Sequence, residues 1–196
     1  MSDPSNGYEA IARKFIAGRG TGTGFSPGAS NVRQWATGLR TGGHVLDIGC
    51  GSGVPISQTL IDGGFAVHGI DASPSMIAAF RARFPDVPAE CNRVEASHFF
   101  DRRFDGVVAW GLIFLLDAEA QALLISKVAK VLLPGGQFLF TAPRQACDWP
   151  DNQTGQTSRS LGDDMYRRLL EAEGLAVVGE QEDEGGNHYY FARKSL

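Results

Sequence analysis

Cysteine is scarce in this sequence. Cys50, Cys91 and Cys147 lie far apart, form no Cys-x-x-Cys pair and are odd in number, which argues against a disulfide framework and for a reducing compartment. Histidine is scarce as well. His44, His68, His98 and His188 are scattered, with no paired acid or cysteine at metal-ligand spacing, so no metal is expected. Apolar runs stay short of the roughly 20 residues a membrane helix needs. The opening Met1-Ser2-Asp3-Pro4-Ser5-Asn6 shows no basic-then-apolar leader pattern. Positive charge is not in excess either: Lys and Arg number 18 against 22 Asp and Glu, for a net charge of −4. No overall field draws such a chain to nucleic acid. A soluble cytoplasmic protein, with neither nucleic acid nor membrane as partner, is the expectation.

What is present is an ordinary globular composition, 43% hydrophobic and 20% charged over 196 residues, enough for one substantial core. A short helix is expected at Tyr8 to Ile16, behind a Ser5 or Asn6 cap. The segment Gly18 to Gly28 is too rich in glycine for a regular element and reads as a connector or lid hinge. From Gly43 onward strands and helices alternate. Buried strands are expected at His44–Ile48, Phe65–Ile70, Phe104–Trp110 and Gln137–Thr141, with a weak one from Ala89 to Val94. Helices fall at Pro55–Ile61, after the Ser73-Pro74 cap, at Ala118–Leu132 and at Asp163–Ala172. Such alternation implies parallel pairing through right-handed crossovers, hence a single doubly wound α/β sheet. Near the end, Leu175–Gly179 and His188–Ala192 flank the Asp183-Glu-Gly-Gly186 turn, which predicts a C-terminal antiparallel hairpin. The segment from Pro143 to Ser160 reads as a long polar loop and a candidate cover for a site.

The stretch Val45-Leu-Asp-Ile-Gly-Cys-Gly-Ser-Gly53 carries the chemistry. In an open α/β sheet, ligands sit beyond the carboxyl ends of the strands. Asp47 ends the first strand, and Gly49, Gly51 and Gly53 let backbone approach a ligand without Cβ interference. The dinucleotide fingerprint G-x-G-x-x-G fails in both registers, because its last position is Val54 or Ile56. No Gly-Lys-Ser/Thr phosphate loop follows. An acid beside glycines suits a ligand with hydroxyls and a cationic sulfonium better than one with a pyrophosphate. Asp71, just after the second strand, stands where a carboxylate can accept both hydroxyls of a ribose.

In order, VLDIGCGSG, GIDAS, FDGVVAW and LLPGGQFLFTAP resemble the motifs of class I S-adenosylmethionine-dependent methyltransferases, over roughly residues 43 to 143. The resemblance implies a Rossmann-like domain from 31 to 196 behind an N-terminal helix and glycine-rich lid in 1 to 30. It implies S-adenosylmethionine as the methyl source and S-adenosylhomocysteine as its product. Asp47, Gly49, Cys50, Gly51 and Gly53 would form the turn at the methionine and ribose side, and Asp71 would hold the ribose hydroxyls. Ala72 and Met76 would border the adenine. Glu95 takes the place of the family's usual aspartate near the adenine amino group, with Ala96 beside it. Trp110 and Leu112 would pack near the transferred methyl and the adenine, and Arg19 is a candidate for the cofactor carboxylate.

Methyl transfer from a sulfonium needs alignment more than a fixed triad, and no residue pattern assigns a catalytic base or an oligomeric state. His98, His188 and Asp148 are the candidate bases, and Phe25, Trp110, Trp149 and Tyr190 the candidate floor of an acceptor pocket. The acceptor is expected to be a small molecule: no Asn-Pro-Pro-Tyr or Asp-Pro-Pro-Tyr motif follows the fourth strand, where Trp110-Gly-Leu-Ile113 stands. Two other readings stay open from sequence, an NAD-dependent oxidoreductase and a non-catalytic cofactor-binding subunit.

Overall fold

The computed structural model describes residues 3–19 and 27–196; most of the expected glycine-rich segment, with Phe25, lies outside the described residues. Helix α1 spans Tyr8–Arg19 and α2 Ala29–Ala36. There follow β1 (His44–Ile48), α3 (Ile56–Asp62), β2 (Ala66–Asp71), α4 (Pro74–Arg83), β3 (Ala89–Cys91), β4 (Phe104–Ala109), α5 (Ala118–Val131) and β5 (Leu132–Thr141). The last part holds β6 (Cys147–Pro150), β7 (Thr157–Ser160), α6 (Asp163–Ala172), β8 (Leu175–Glu182) and β9 (His188–Lys194).

Seven strands form one sheet in the order β3-β2-β1-β4-β5-β9-β8. The pairs from β3 to β5 are parallel, and β9 runs antiparallel between β5 and β8. The doubly wound sheet with a terminal hairpin is therefore as the sequence implies. Strand order reverses between β1 and β4, so the cleft at their carboxyl ends is where a ligand is expected. Among the described residues no helix is long and apolar enough to cross a membrane.

Side chains alternate across the sheet with the two-residue strand period. Leu46, Val107, Phe138, Phe140 and Tyr190 pack under α5 and α6, with Leu124, Val128, Tyr166 and Leu170. Their neighbours Val45, Val108, Leu139 and Tyr189 pack on the opposite face, with Val32 and Trp35 of α2 and Leu60 of α3. The centre of the first layer is aromatic: the Phe140 ring stacks on Tyr190 at 4.7 Å and on Phe138 at 5.0 Å. Helix starts obey local rules. The Ser73 hydroxyl accepts from Met76 N at 3.1 Å with Pro74 next, and Asp117 accepts from Ala120 N at 2.9 Å.

The segment from Pro143 to Ser160 is not the open loop expected. It forms the β6–β7 hairpin, in which Asp148 and Arg159 face each other as a two-pronged ion pair, the Nε–Oδ1 contact being 2.7 Å. Opposite charges at facing positions favour strand pairing even in a polar sequence. Helix α1 buries only Ala12 deeply and is held by polar contacts instead. The Glu9 carboxylate accepts from Ser75 Oγ at 2.6 Å, from Ser75 N at 3.1 Å and from Ser73 Oγ, at the N-terminus of α4. A carboxylate there complements both the free N–H groups and the helix dipole.

Truncating the aromatic centre tests this core. Phe140→Ala is expected to cost about 3–5 kcal/mol of unfolding free energy, whereas Val178→Ala, on the edge strand and 56% exposed, should stay within about 0.5 kcal/mol. Urea unfolding of the two variants measures the contrast.

Candidate functional site

The turn after β1 is laced to the end of β2. Gly49 N and Cys50 N both donate to the Ile70 carbonyl, at 2.8 and 3.0 Å. Gly51 N donates to Asp71 Oδ2 at 2.8 Å, and Ser73 N to Asp71 Oδ1 at 2.8 Å. Each Asp71 oxygen thus holds one backbone N–H and keeps a further lone pair for a ligand. Gly49 and Gly51 have φ of +73° and +53°, a region that side chains resist. A Cβ on Gly49 would stand 3.0 Å from Leu112, whereas one on Gly51 would meet nothing nearer than Met76 Sδ at 4.0 Å. Gly51 therefore borders open space.

That space is a cavity of about 310 Å³ at the carboxyl ends of β1, β2 and β4. Of the residues expected at a site, Asp47, Gly49, Cys50, Gly51, Asp71 and Ala72 line it, as do Met76, Glu95, Trp110, Leu112 and Arg19. Gly53 and Ala96 are not among its walls. Gly53 is required for another reason, because a Cβ there would lie 2.4 Å from the Phe84 ring. Ala96 is exposed beyond the rim. Cys50 contributes chiefly backbone, since its sulfur is buried in a cluster with Ile77, Phe80 and Phe84.

Asp47 is 2% exposed and accepts from Ser57 Oγ at 2.6 Å. Burial pushes its pKa up to about 7, against the Ser57 bond and with the nearby Asp71 adding to the rise. Burial likewise raises Asp71, opposed by the Ser73 and Gly51 N–H groups. Glu95 pairs with Arg93 at 2.8 Å. The Trp110 indole N–H donates to Tyr189 Oη at 2.8 Å, and that hydroxyl donates to Asp183 Oδ2 at 2.8 Å. The Arg19 guanidinium lies 5.1 Å from the Trp110 ring and 4.9 Å from Phe15. Burial lowers its pKa, and among the described residues no carboxylate pairs with it.

The candidate bases lie elsewhere. His98 is exposed, Asp148 is engaged with Arg159, and His188 contacts Glu180 at 3.0 Å on the terminal hairpin. Tyr190 belongs to the core rather than a pocket floor. Trp149 sits behind Phe114, rings 5.5 Å apart, and Phe114 lines the cavity. Tyr8 and Asp151 are among the cavity residues that the sequence did not mark. Tyr8 comes from α1, and its hydroxyl stands 3.4 Å from Asp151 Oδ2 in the β6–β7 turn. Burial, then the Asp151 charge, pushes the Tyr8 pKa up to about 12.

Residues 45–136 match the family model of a methyltransferase domain. The chain is 31% identical over 139 residues to a "Probable S-adenosylmethionine-dependent methyltransferase" of Mycolicibacterium smegmatis, covering 69% of this chain and 53% of that protein. It is 35% identical over 112 residues to the aklanonic acid methyltransferase of a Streptomyces species, covering 53% and 49%. The chain thus spans about half the length of these curated relatives. Among solved structures, the 1,6-didemethyltoxoflavin-N1-methyltransferase of Burkholderia thailandensis, with its substrate and S-adenosylhomocysteine bound, superposes with a TM-score of 0.73 at 19% identity. That match covers 100% of this chain and 92% of the other, and it speaks to the fold.

The raised Asp47 carries a pH signature. An unfolded aspartate titrates near 3.9, so the folded chain holds the extra proton between about pH 4 and about 7. Its contribution to stability therefore falls as pH rises through that window. Against Asp47→Asn, which cannot titrate, wild-type stability is expected to decline by on the order of 4 kcal/mol across it. Urea melts of both proteins at several pH values measure the difference, and a flat one would mean that Asp47 stays ionised.

Proposed function

We propose that this chain, whose residues 45–136 match the family model of a methyltransferase domain, is a class I S-adenosylmethionine-dependent enzyme that methylates a small molecule at O, N or C. One observation carries the reading: Asp71, at the tip of β2, is aimed into the cavity by the N–H groups of Gly51 and Ser73. A carboxylate so fixed suits a vicinal diol, and a pyrophosphate set against Asp47 and Asp71 would be repelled. The open space over Gly51, which a Cβ would begin to fill, fits an adenosyl group lying across the turn.

In this reading Asp71 takes the ribose hydroxyls, with Ala72 and Met76 bordering the base. Glu95 receives the adenine amino group. Asp47 and the Gly49–Gly51 backbone line the methionine side, where the Arg19 guanidinium, free of an acidic partner among the described residues, takes the carboxylate. Trp110 and Leu112 close the side facing the acceptor. S-adenosylmethionine supplies a methyl group already activated on a sulfonium. The chain's own task is to align the acceptor and exclude water, a proximity effect that reaches effective molarities of roughly 10⁵–10⁸ M. Helix α1, which brings Tyr8, Phe15 and Arg19 to the cavity, serves as the cover. The net charge of −4 supports a small-molecule acceptor over a nucleic acid, and a cytoplasmic location belongs to the same reading.

Calorimetric titration with S-adenosylmethionine, S-adenosylhomocysteine and NAD tests it. Both sulfur compounds should bind and NAD should not. Asp71→Ala, folded by its melting curve, should weaken binding about a hundredfold through the lost charged hydrogen bonds. Absence of binding by either sulfur compound would end the proposal, and binding of NAD would replace it with the oxidoreductase reading.

A further inference from the structure

Asp151 is the one buried cavity carboxylate that the cofactor reading leaves unused. It is 8% exposed and lines the same space as Asp47 and Trp110. Its two oxygens are treated very differently. Oδ1 accepts from Gln153 N at 2.9 Å, Thr154 N at 2.8 Å and Thr154 Oγ1 at 3.2 Å. Oδ2 has only the Tyr8 hydroxyl, 3.4 Å away, beyond the usual O–H···O range of about 2.5–3.0 Å. Among the described residues no lysine, arginine or histidine pairs with it.

A buried charge without a counter-ion is costly, and proteins normally pair it. The other two aspartates of the cavity are held differently. Asp47 is driven toward its neutral form and bonded to Ser57, and Asp71 is held by Gly51 N and Ser73 N. Asp151 has its position fixed through Oδ1, by the turn that closes the β6–β7 hairpin, where Asp151 N donates to Gln156 O at 2.7 Å and Gly155 N to Asp151 O at 2.8 Å. Its free oxygen is thereby pre-oriented toward a partner that arrives from outside. The cavity that Asp151 lines has apolar walls at Phe114, Leu115, Leu116 and Tyr8, beside the polar Asn6, Gln153 and Asn187.

We infer that Asp151 is the acceptor-binding carboxylate, and that the acceptor is an amine on an apolar, ring-sized body, docked with its ammonium on Asp151 Oδ2 and its body against Phe114 and Leu116. This rests on the methyltransferase reading for the identity of the acceptor, though not for the binding itself. A hydroxyl could donate to the same oxygen but would leave the charge uncompensated, and an acceptor carboxylate would be repelled. Tyr8 completes the pocket from the α1 side, so amine recognition and closure of the cover meet at one point.

Benzylamine, benzyl alcohol and benzoate probe the idea, since they share a ring and differ in charge. Each is titrated calorimetrically into the full chain, with and without S-adenosylhomocysteine, in the wild type and in Asp151→Asn, which keeps an acceptor at the Oδ1 position. Benzylamine should bind the wild type at least tenfold tighter than benzyl alcohol, and benzoate weakest. Asp151→Asn should bring amine and alcohol level while leaving the affinity for S-adenosylhomocysteine unchanged. Equal wild-type binding of amine and alcohol, or no amine binding at millimolar concentration, overturns the inference without recourse to any variant. So does an amine preference that survives in Asp151→Asn. Failure of the methyltransferase reading would look different, as loss of S-adenosylhomocysteine binding with the amine preference intact.

Discussion

The site depends on the lacing of the glycine turn to the end of β2. The Ile70 carbonyl takes the N–H groups of Gly49 and Cys50, and the Asp71 carboxylate takes that of Gly51. These contacts fix a loop that glycine alone would leave loose, because the freedom that lets Gly49 and Gly51 adopt positive φ also makes them entropically expensive to order. Asp71 is consequently part of the wall it serves. The same bonds that hold the turn set the direction in which its remaining lone pairs point, so the shape of the cavity and its hydrogen-bonding character have a single origin.

Around that turn the cavity is dominated by acids that lack cationic partners. Asp47 and Asp151 are buried and Asp71 is partly so, while Glu95 is matched by Arg93 and Arg19 rests against aromatic rings rather than an acid. In a site of low polarizability these charges act more strongly than they would in water. Asp47 answers by moving its pKa up to about 7, and the others answer through backbone N–H groups. Such a wall favours ligands bearing positive charge or several donors, which is why a sulfonium and an amine both suit it. Trp110 stays in place through its indole N–H, the Tyr189 hydroxyl and Asp183, a chain of hydrogen bonds that ties the terminal hairpin to the cavity.

Much of this was legible in the sequence, for a physical reason. Strand period, helix caps and the glycines of residues 49 to 51 are local signals, and the parallel sheet, its hairpin and the Asp47–Asp71 side of the cavity follow from them. Gly53 belongs to the same motif, is not among the cavity walls, and has no room for a Cβ beside the Phe84 ring. The hairpin at 147 to 160 was hidden because its strands are polar and are paired by Asp148 with Arg159, residues that no hydrophobic alternation marks. Asp151 looked like any turn aspartate followed by Asn-Gln-Thr-Gly, and it does cap that turn. Only the fold reveals that it lines the cavity, with its second oxygen toward the Tyr8 hydroxyl. Glu9 and Tyr8 reach their partners across 66 and 143 positions of chain, distances over which sequence pattern carries no information.

The floor and the cover of the cavity are built from different forces. The floor is a sheet whose strands are buried on both faces, and opening it would expose aromatic layers such as Phe138, Phe140 and Tyr190. Helix α1, the proposed cover, buries Ala12 and is held by Glu9 at the start of α4, by Arg19 against the Trp110 ring and by the long Tyr8–Asp151 contact. Half-exposed polar contacts of that kind contribute on the order of 1 kcal/mol each, far less than a core side chain. Local opening is therefore cheapest at α1, as expected where few apolar contacts hold an element. In the proposed reading the floor stays rigid while α1 detaches, and Tyr8 of α1 and Asp151 of the hairpin face each other when α1 is docked. Recognition and enclosure are thereby coupled by geometry, without any movement of the glycine turn.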